Sequence, residues 1–468
     1  MQQEDNTTNV SQKLIDEFED SIQQEVKDCV REVRAQKWQV FLDQKTKDWT
    51  AQVNNLNTTL PNAKNNSPYH VLMPFDVEGI FIKNVTITNG CGLDVTVADD
   101  FKSFAIDGIP HTKNKKQTVV SEVEVLFGHK DFPDLLLPPL KLKLVINPNP
   151  KDLWLDLPVP ENMEYPKRDA ECEWINAVSK GDKTVIAASK RGRSHAHEAK
   201  PRDDHFSINI TDDGWYVLVV ADGAGSAPFS REGSRIACET TNRICVNQLT
   251  KNHDTLEKLI MEYVNADNQK DKDALRKKIG DNLYHSLAAA SYVVHKEIKE
   301  VATAKNRQPK EYATTLLMAV AKHFGDFWFV ASFWIGDGAI GVYDDNNGSV
   351  KLLCEPDEGE FSGQTRFVTM NELFLSVKQI YKRLRFHIAR DFSSLMLMTD
   401  GVSDAFFETD NNLKDPEFWK ALETNILHAT NPKNEPEVSP ETQANRLLDW
   451  LDFWSPGNHD DRTIVVLH

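Results

Sequence analysis

The sequence predicts an α+β protein of more than one domain: an N-terminal helix, a small antiparallel β-sandwich, and a larger C-terminal body of strands and helices. Three observations carry this. Apolar residues recur at helical steps near the N-terminus, then alternate with polar residues, then form short runs separated by long helical stretches. A chain of 468 residues is also too long for a single hydrophobic core.

Over residues 10–56, Ile15, Phe18, Ile22, Val26, Cys29 and Val33 follow three- and four-residue steps with charges between them. Residues 1–56 therefore form a helical segment. It is expected to pack on its neighbouring domain, because no heptad persists to support a coiled coil. The Asn-, Thr- and Pro-rich stretch from Asn57 to Pro68 is a linker. Residues 69–157 form the β-sandwich, immunoglobulin-like in size. Ile80–Ile87, Gln117–Val125 and Leu140–Ile146 alternate apolar and polar residues between Gly and Pro punctuation. This region holds no catalytic constellation, so partner binding or packing is its expected role. Residues 158–173, with Pro158, Pro160 and Pro166, form a second linker. Residues 174–468 form the main domain. Strand-like runs at Thr184–Ala188, Tyr216–Val220, Phe327–Trp334, Ser394–Met398 and Thr463–Leu467 flank helical stretches. The stretch from Leu256 to Ala304 is expected to hold two helices.

A formal net charge of -17 argues against a general nucleic-acid or anionic-membrane binder. Six cysteines without a C-x-x-C pair indicate reduced thiols rather than a zinc site or disulfide framework. The polar start, Met1-Gln2-Gln3-Glu4-Asp5, carries no signal-peptide pattern, and no apolar run approaches the roughly 20 residues that span a bilayer. A cytoplasmic location is expected.

In the main domain an Asp recurs beside the end of a strand: Asp222-Gly223-Ala224-Gly225, Gly336-Asp337-Gly338, Asp400-Gly401-Val402-Ser403-Asp404 and Asp460-Asp461-Arg462-Thr463. Glycine after the first three lets the backbone turn sharply or approach a ligand. Converging carboxylates repel and need a hard cation between them. Oxygen-only ligation points to Mg²⁺ or Mn²⁺. Two such ions can ionise a shared water and aim it at phosphorus. One Asp-Gly alone is usually a turn; the ordered set is what carries weight. No C-x5-R loop and no G-x4-G-K-S/T stretch occurs, which disfavours a cysteine-dependent phosphatase and a P-loop NTPase.

Together with Ser189–His195, Arg202-Asp203-Asp204-His205-Phe206 and Ala313-Thr314-Thr315-Leu316, this set resembles the protein phosphatase 2C family of metal-dependent serine/threonine phosphatases, in its bacterial type. The resemblance covers about residues 184–468. It implies a four-layer αββα sandwich with two metal ions at one edge, and a third in some members. It implies that Asp222 bridges both metals, that the Gly223 carbonyl ligates one, and that Asp400 and Asp460 complete the other. Asp204 would hold a metal-bound water, and Asp337 and Asp404 would support the third ion. Thr315 matches a family threonine whose plain role is strand packing. The implied reaction is hydrolysis of phosphoserine or phosphothreonine in proteins by a hydroxide bridging two Mn²⁺ or Mg²⁺ ions.

Two departures stand out. Ala224 occupies the position of a family histidine, leaving His195, His205 or water as the acid. No arginine falls at the usual phosphate-gripping spacing, leaving Arg193 or Arg202 as candidates, with solvated loop charge as the plain alternative. His195 and His197 would share a face if they lay on a strand. The domain layout implies a serine/threonine kinase and a von Willebrand A-like protein as partners. Two other functions stay open: a degenerate phosphatase fold that only binds partners, and a hydrolase of small phosphorylated metabolites.

Overall fold

The computed structural model describes residues 4–56, 58–177, 182–355, 357, 365–433, 435 and 438–468, with side chains from residue 12 onward. Asn57, the first residue of the expected linker, lies outside them. The chain divides into two compact units, Met1–Leu153 and Trp154–His468.

The first unit opens with α1 (Glu4–Asn54), which contains no Gly or Pro and carries i, i+4 Gln-to-Asp hydrogen bonds such as Gln12–Asp16 and Gln24–Asp28. Only its last turns are packed. Val53 is buried in the β core, and Trp49 stacks on His129 with ring centroids 4.1 Å apart. The expectation that this helix packs on its neighbouring domain therefore holds for its last turns and is corrected for the rest: Ile15, Phe18, Ile22, Val26 and Val33 are all exposed.

Eight strands follow: β1 (Ala63–Lys64), β2 (Tyr69–Pro74), β3 (Ile80–Thr88), β4 (Leu93–Val97), β5 (Ser103–Gly108), β6 (Val119–His129), β7 (Phe132–Leu136) and β8 (Leu140–Asn147), with a short α2 (Pro150–Leu153) after them. They make two sheets. One has the order β1-β8-β6-β3 with β7 on β6, and the other β2-β5-β4. All pairs are antiparallel except β1 with β8. The inward residues of the alternating strands, including Ile82, Phe104, Ile106, Val123, Val125 and Leu144, form one core.

The second unit comprises β9 (Ala170–Ile175), β10 (Val185–Lys190), α3 (Arg193–His197), β11 (His205–Ile210), β12 (Tyr216–Ala221), α4 (Ser230–Val264), α5 (Gln269–Leu283), α6 (Ala289–Ala304), β13 (Leu316–His323), β14 (Trp328–Ile335), β15 (Ala339–Asp344), β16 (Ser349–Leu352), α7 (Val377–Tyr381), β17 (Leu384–Ala389), β18 (Ser394–Met398), α8 (Asp400–Phe407), α9 (Pro416–Thr430), α10 (Pro440–Trp450) and β19 (Arg462–Leu467). One sheet runs β16-β15-β18-β19-β10-β9 and the other β11-β12-β13-β14-β17.

Strand alternation sorts the side chains into layers. Leu218 and Val220 of β12 meet Leu395, Leu397, Val465 and Leu467 between the sheets. Val217 and Val219 face outward onto α4 to α6. On the other outer face Met396, Met398, Ile464 and Val466 pack under Trp419, Leu422 and Leu447 of α9 and α10. Because both faces of the central strands are buried, they appear in the sequence as continuous apolar runs rather than alternating ones. The 256–304 stretch holds three helical pieces rather than two, since α4 runs on to Val264 and a π-turn, Tyr284–Ala288, joins α5 to α6.

Candidate metal centre

The acidic residues gather where strands from both sheets end. β12 ends at Ala221, so Asp222 is the first residue past its edge. Its backbone is clamped: Asp222 N–H donates to Thr315 Oγ1 at 2.9 Å, while Thr314 Oγ1 and Thr315 N–H both donate to Asp222 O at 2.8 Å. Thr315, whose plain reading was strand packing, thus also holds Asp222 in place. Gly223 forms an antiparallel bridge with Thr314.

Asp337 lies in the turn between β14 and β15. The pairing of Ala339 with Met398 brings this turn beside Thr399 and Asp400. Asp400 opens α8, where a carboxylate is favoured by the helix N-terminus. Asp404 follows one turn later on the same helix face and is exposed. Gly401 is required by packing: a Cβ there would lie 1.8 Å from the Asp461 carbonyl oxygen. Gly401→Ala is expected to destabilise the fold by about 1–3 kcal/mol, as overpacking does, and to show as a lowered urea midpoint.

Acidic ligand atoms of Asp222, Asp337 and Asp400 all lie within 4.8 Å of one another. A second group joins His195, Asp460 and Asp461 at the same spacing. Asp460, expected in the first group, sits in the second. Its Oδ1 accepts from the Asp461 N–H at 2.8 Å, which holds the carboxylate on the His195 side. It still repels Asp222 and Asp400 electrostatically, so the two groups adjoin.

Asp204 is buried. One oxygen, Oδ2, accepts from Thr399 Oγ1 and Thr463 Oγ1, each at 2.8 Å. The other, Oδ1, has no partner, and neither do Asp337 Oδ1, Asp400 Oδ1 and Asp203 Oδ1. Buried acceptors without donors are costly. Burial and mutual repulsion show in the protonation of Asp222, Asp400 and Asp204. Burial, then Asp400 and Asp204, holds the Asp222 carboxyl well above the usual carboxylate range. Burial, then Asp337, does the same for Asp400. Burial, then Asp461, lifts Asp204 to about 7. An all-oxygen donor set with unsatisfied buried atoms fits hard divalent cations, whose charge reverses this repulsion.

Asp461 is the residue whose importance sequence reasoning missed. It is buried and accepts from Gly192 N–H at 2.6 Å, from Asp203 N–H at 2.5 Å, and from His195 Nδ1 at 2.9 Å. Burial opposes a charge on His195, but Asp461 outweighs it and lifts the imidazole to about 9. The other ring nitrogen, Nε2, lies 3.7 Å from Asp203, so carboxylates flank the ring on both sides. The available signal was the doubling itself, Asp203-Asp204 and Asp460-Asp461, each just before a strand. Neighbouring residues there point opposite ways, one into the site and one behind it.

His195 and His197 lie on the one-turn helix α3, not on a strand, and His197 turns away to accept from Leu155 N–H at 3.0 Å. Arg202 is wholly buried, donating to Ser189 O at 2.9 Å and to Glu171 at 2.8 Å. Arg193 donates to Asp452 at 2.9 Å and to Phe453 O at 3.2 Å. Burial drives the pKa of His205 down, which leaves it neutral.

The family model for protein phosphatase 2C matches residues 191–452. No curated protein matches the sequence. Among solved structures, a serine/threonine phosphatase of Mycobacterium tuberculosis, PstP/Ppp, is 17% identical, with 61% of this chain and 98% of that one covered and a TM-score of 0.34. A serine-threonine phosphatase 2C of Toxoplasma gondii is 14% identical, with 64% and 98% covered and a TM-score of 0.37. A bacterial serine phosphatase is 16% identical, with 60% and 96% covered and a TM-score of 0.31. The matched span runs over more than half of the chain and takes in the strands that lead into Asp222, Asp337 and Asp400; the chain belongs to the protein phosphatase 2C family.

Proposed function

We propose that this protein hydrolyses phosphoserine and phosphothreonine in proteins at a site built on Mn²⁺ or Mg²⁺. The observation that carries the reading is the convergence of Asp222, Asp337 and Asp400 with buried oxygens that lack any donor. Asp222, Asp400 and Asp460, with the Gly223 carbonyl, would hold two ions, and Asp337 with Asp404 a third. When bound, the ions would supply Lewis-acid charge that makes a water more acidic and offsets the charge of the phosphate dianion. Asp204, oriented by Thr399 and Thr463, has its free Oδ1 left to accept a hydrogen bond from a water and so position it. His195 acts by bracing Asp461 behind the site rather than by protonating the leaving group, since both of its nitrogens face carboxylates. Arg202 and Arg193 hold the scaffold, through Glu171 and Asp452 respectively. A kinase that loads the substrate and a von Willebrand A-like partner complete the reading.

Metal removal tests it. EDTA is expected to abolish phosphate release from a phosphopeptide, and excess Mn²⁺ or Mg²⁺ to restore it. Activity indifferent to chelation would exclude the proposal. Turnover on nucleotides or sugar phosphates that exceeds turnover on phosphopeptides would move the substrate class to small molecules.

A further inference from the structure

The long N-terminal helix α1 has a face that no described residue of its own unit covers. Every described side chain from residue 12 to residue 41 is exposed. That is about 45 Å of bare helix. An isolated helix draws little stability from propensity alone and relies on burying an apolar face.

This helix has such a face. Ile15, Phe18, Ile22, Val26, Cys29 and Val33 advance by steps of 3, 4, 4, 3 and 4 residues. That is an eleven-residue repeat over three turns, which keeps one stripe in line along a nearly straight helix. Lys37 takes the next position of the stripe and Val40 the one after, and Phe18 and Val40 are 65% and 69% exposed. The stripe offers on the order of 600 Å², close to the ~800 Å² per partner of a standard interface, with charged stems able to add the rest.

The charges choose the occupant. Asp16, Glu17, Glu19, Asp20, Glu25 and Asp28 outnumber Lys13 and Lys27 in the first half. Arg31, Arg34, Lys37, Lys45 and Lys47 outnumber Glu32, Asp43 and Asp48 in the second. Parallel pairing would set like against like. Antiparallel pairing sets the acidic half of one helix against the basic half of the other. An anionic membrane is the poorer fit, because the acidic half would be repelled.

We propose that α1 pairs antiparallel with α1 of a second copy of this chain, centred near Cys29. A two-fold axis there places Phe18 of one copy opposite Val40 of the other and brings the two Cys29 side chains together.

Light scattering on the full-length chain should give a dimer. Ile22→Glu combined with Val26→Glu should weaken it by roughly a hundredfold in Kd while leaving metal-dependent phosphate release unchanged. Both positions are exposed, so the variant should fold, and its circular dichroism and melting outside α1 serve as the check. Orientation is tested in a Cys29→Ser background. A Phe18→Cys chain mixed with a longer, tagged Val40→Cys chain should give mostly the mixed disulfide. A monomer at all concentrations, or a dimer indifferent to the double variant, would overturn the proposal. So would disulfides formed only between identical copies, or a monomer that binds vesicles containing phosphatidylserine. None of these outcomes bears on the metal centre.

Discussion

Asp222→Asn and Asp400→Asn are each expected to lower phosphate release from a phosphopeptide by roughly 10³-fold, equivalent to ~4 kcal/mol of lost metal charge stabilisation. Asparagine has nearly the shape of aspartate, so the loss would report charge and ligation rather than packing. Stability should move the other way. Without metal these carboxyls are forced together in a buried site, and burial and mutual repulsion raise both of their pKa values. Removing one charge relieves that repulsion, so each variant should melt in EDTA at or above the temperature of the parent. The parent should gain stability from Mn²⁺, and the variants should gain less. Two folded variants with full activity would remove these residues from the site. A variant inactive but still stabilised by Mn²⁺ like the parent would separate catalysis from metal binding.

The second large effect is expected at Asp461, and it is structural. Asp461→Ala strands the Gly192 and Asp203 N–H groups and leaves the buried His195 without its counter-charge. Breaking a buried, hydrogen-bonded ion pair from one side costs about 3–5 kcal/mol. In thermal unfolding this should appear as a loss on the order of 10 °C. Asp461→Asn, which keeps one acceptor oxygen, should recover part of it. An Ala variant as stable as the parent would show that the network is idle. The contrast with Asp460 is informative, because the two residues are adjacent yet differ in environment. Asp461 is buried and carries three hydrogen bonds, whereas Asp460 is exposed.

Much of the architecture was legible in the chain. The apolar runs at Tyr216–Val220 and Ser394–Met398 are strands because central strands of a sandwich are buried on both faces. The alternation in Leu140–Ile146 marks a strand with one face in a core. The Asp-Gly steps mark strand ends because only glycine tolerates the closeness that Gly401 shows with Asp461. Other features were not legible. Arg202 looked available for phosphate, but whether an arginine meets solvent or the buried side of Glu171 depends on a strand more than 25 residues away. The family resemblance also implied that Asp460 would join Asp222 and Asp400. The register of β15 against β18 sets Asp337 beside Asp400, and Asp460 falls in the adjoining group.

By itself the sequence determined which residue types stand at which strand ends, and that the N-terminal helix carries an apolar stripe. Those are local properties, set by side-chain period and backbone freedom. Only the tertiary structure decided which carboxylates meet, which histidine is locked behind them, and that the stripe stays exposed within its own unit. These depend on strand pairings between residues as far apart as Ser189 and Thr463, and hydrogen bonding and repulsion act through space, with no regard for distance along the chain.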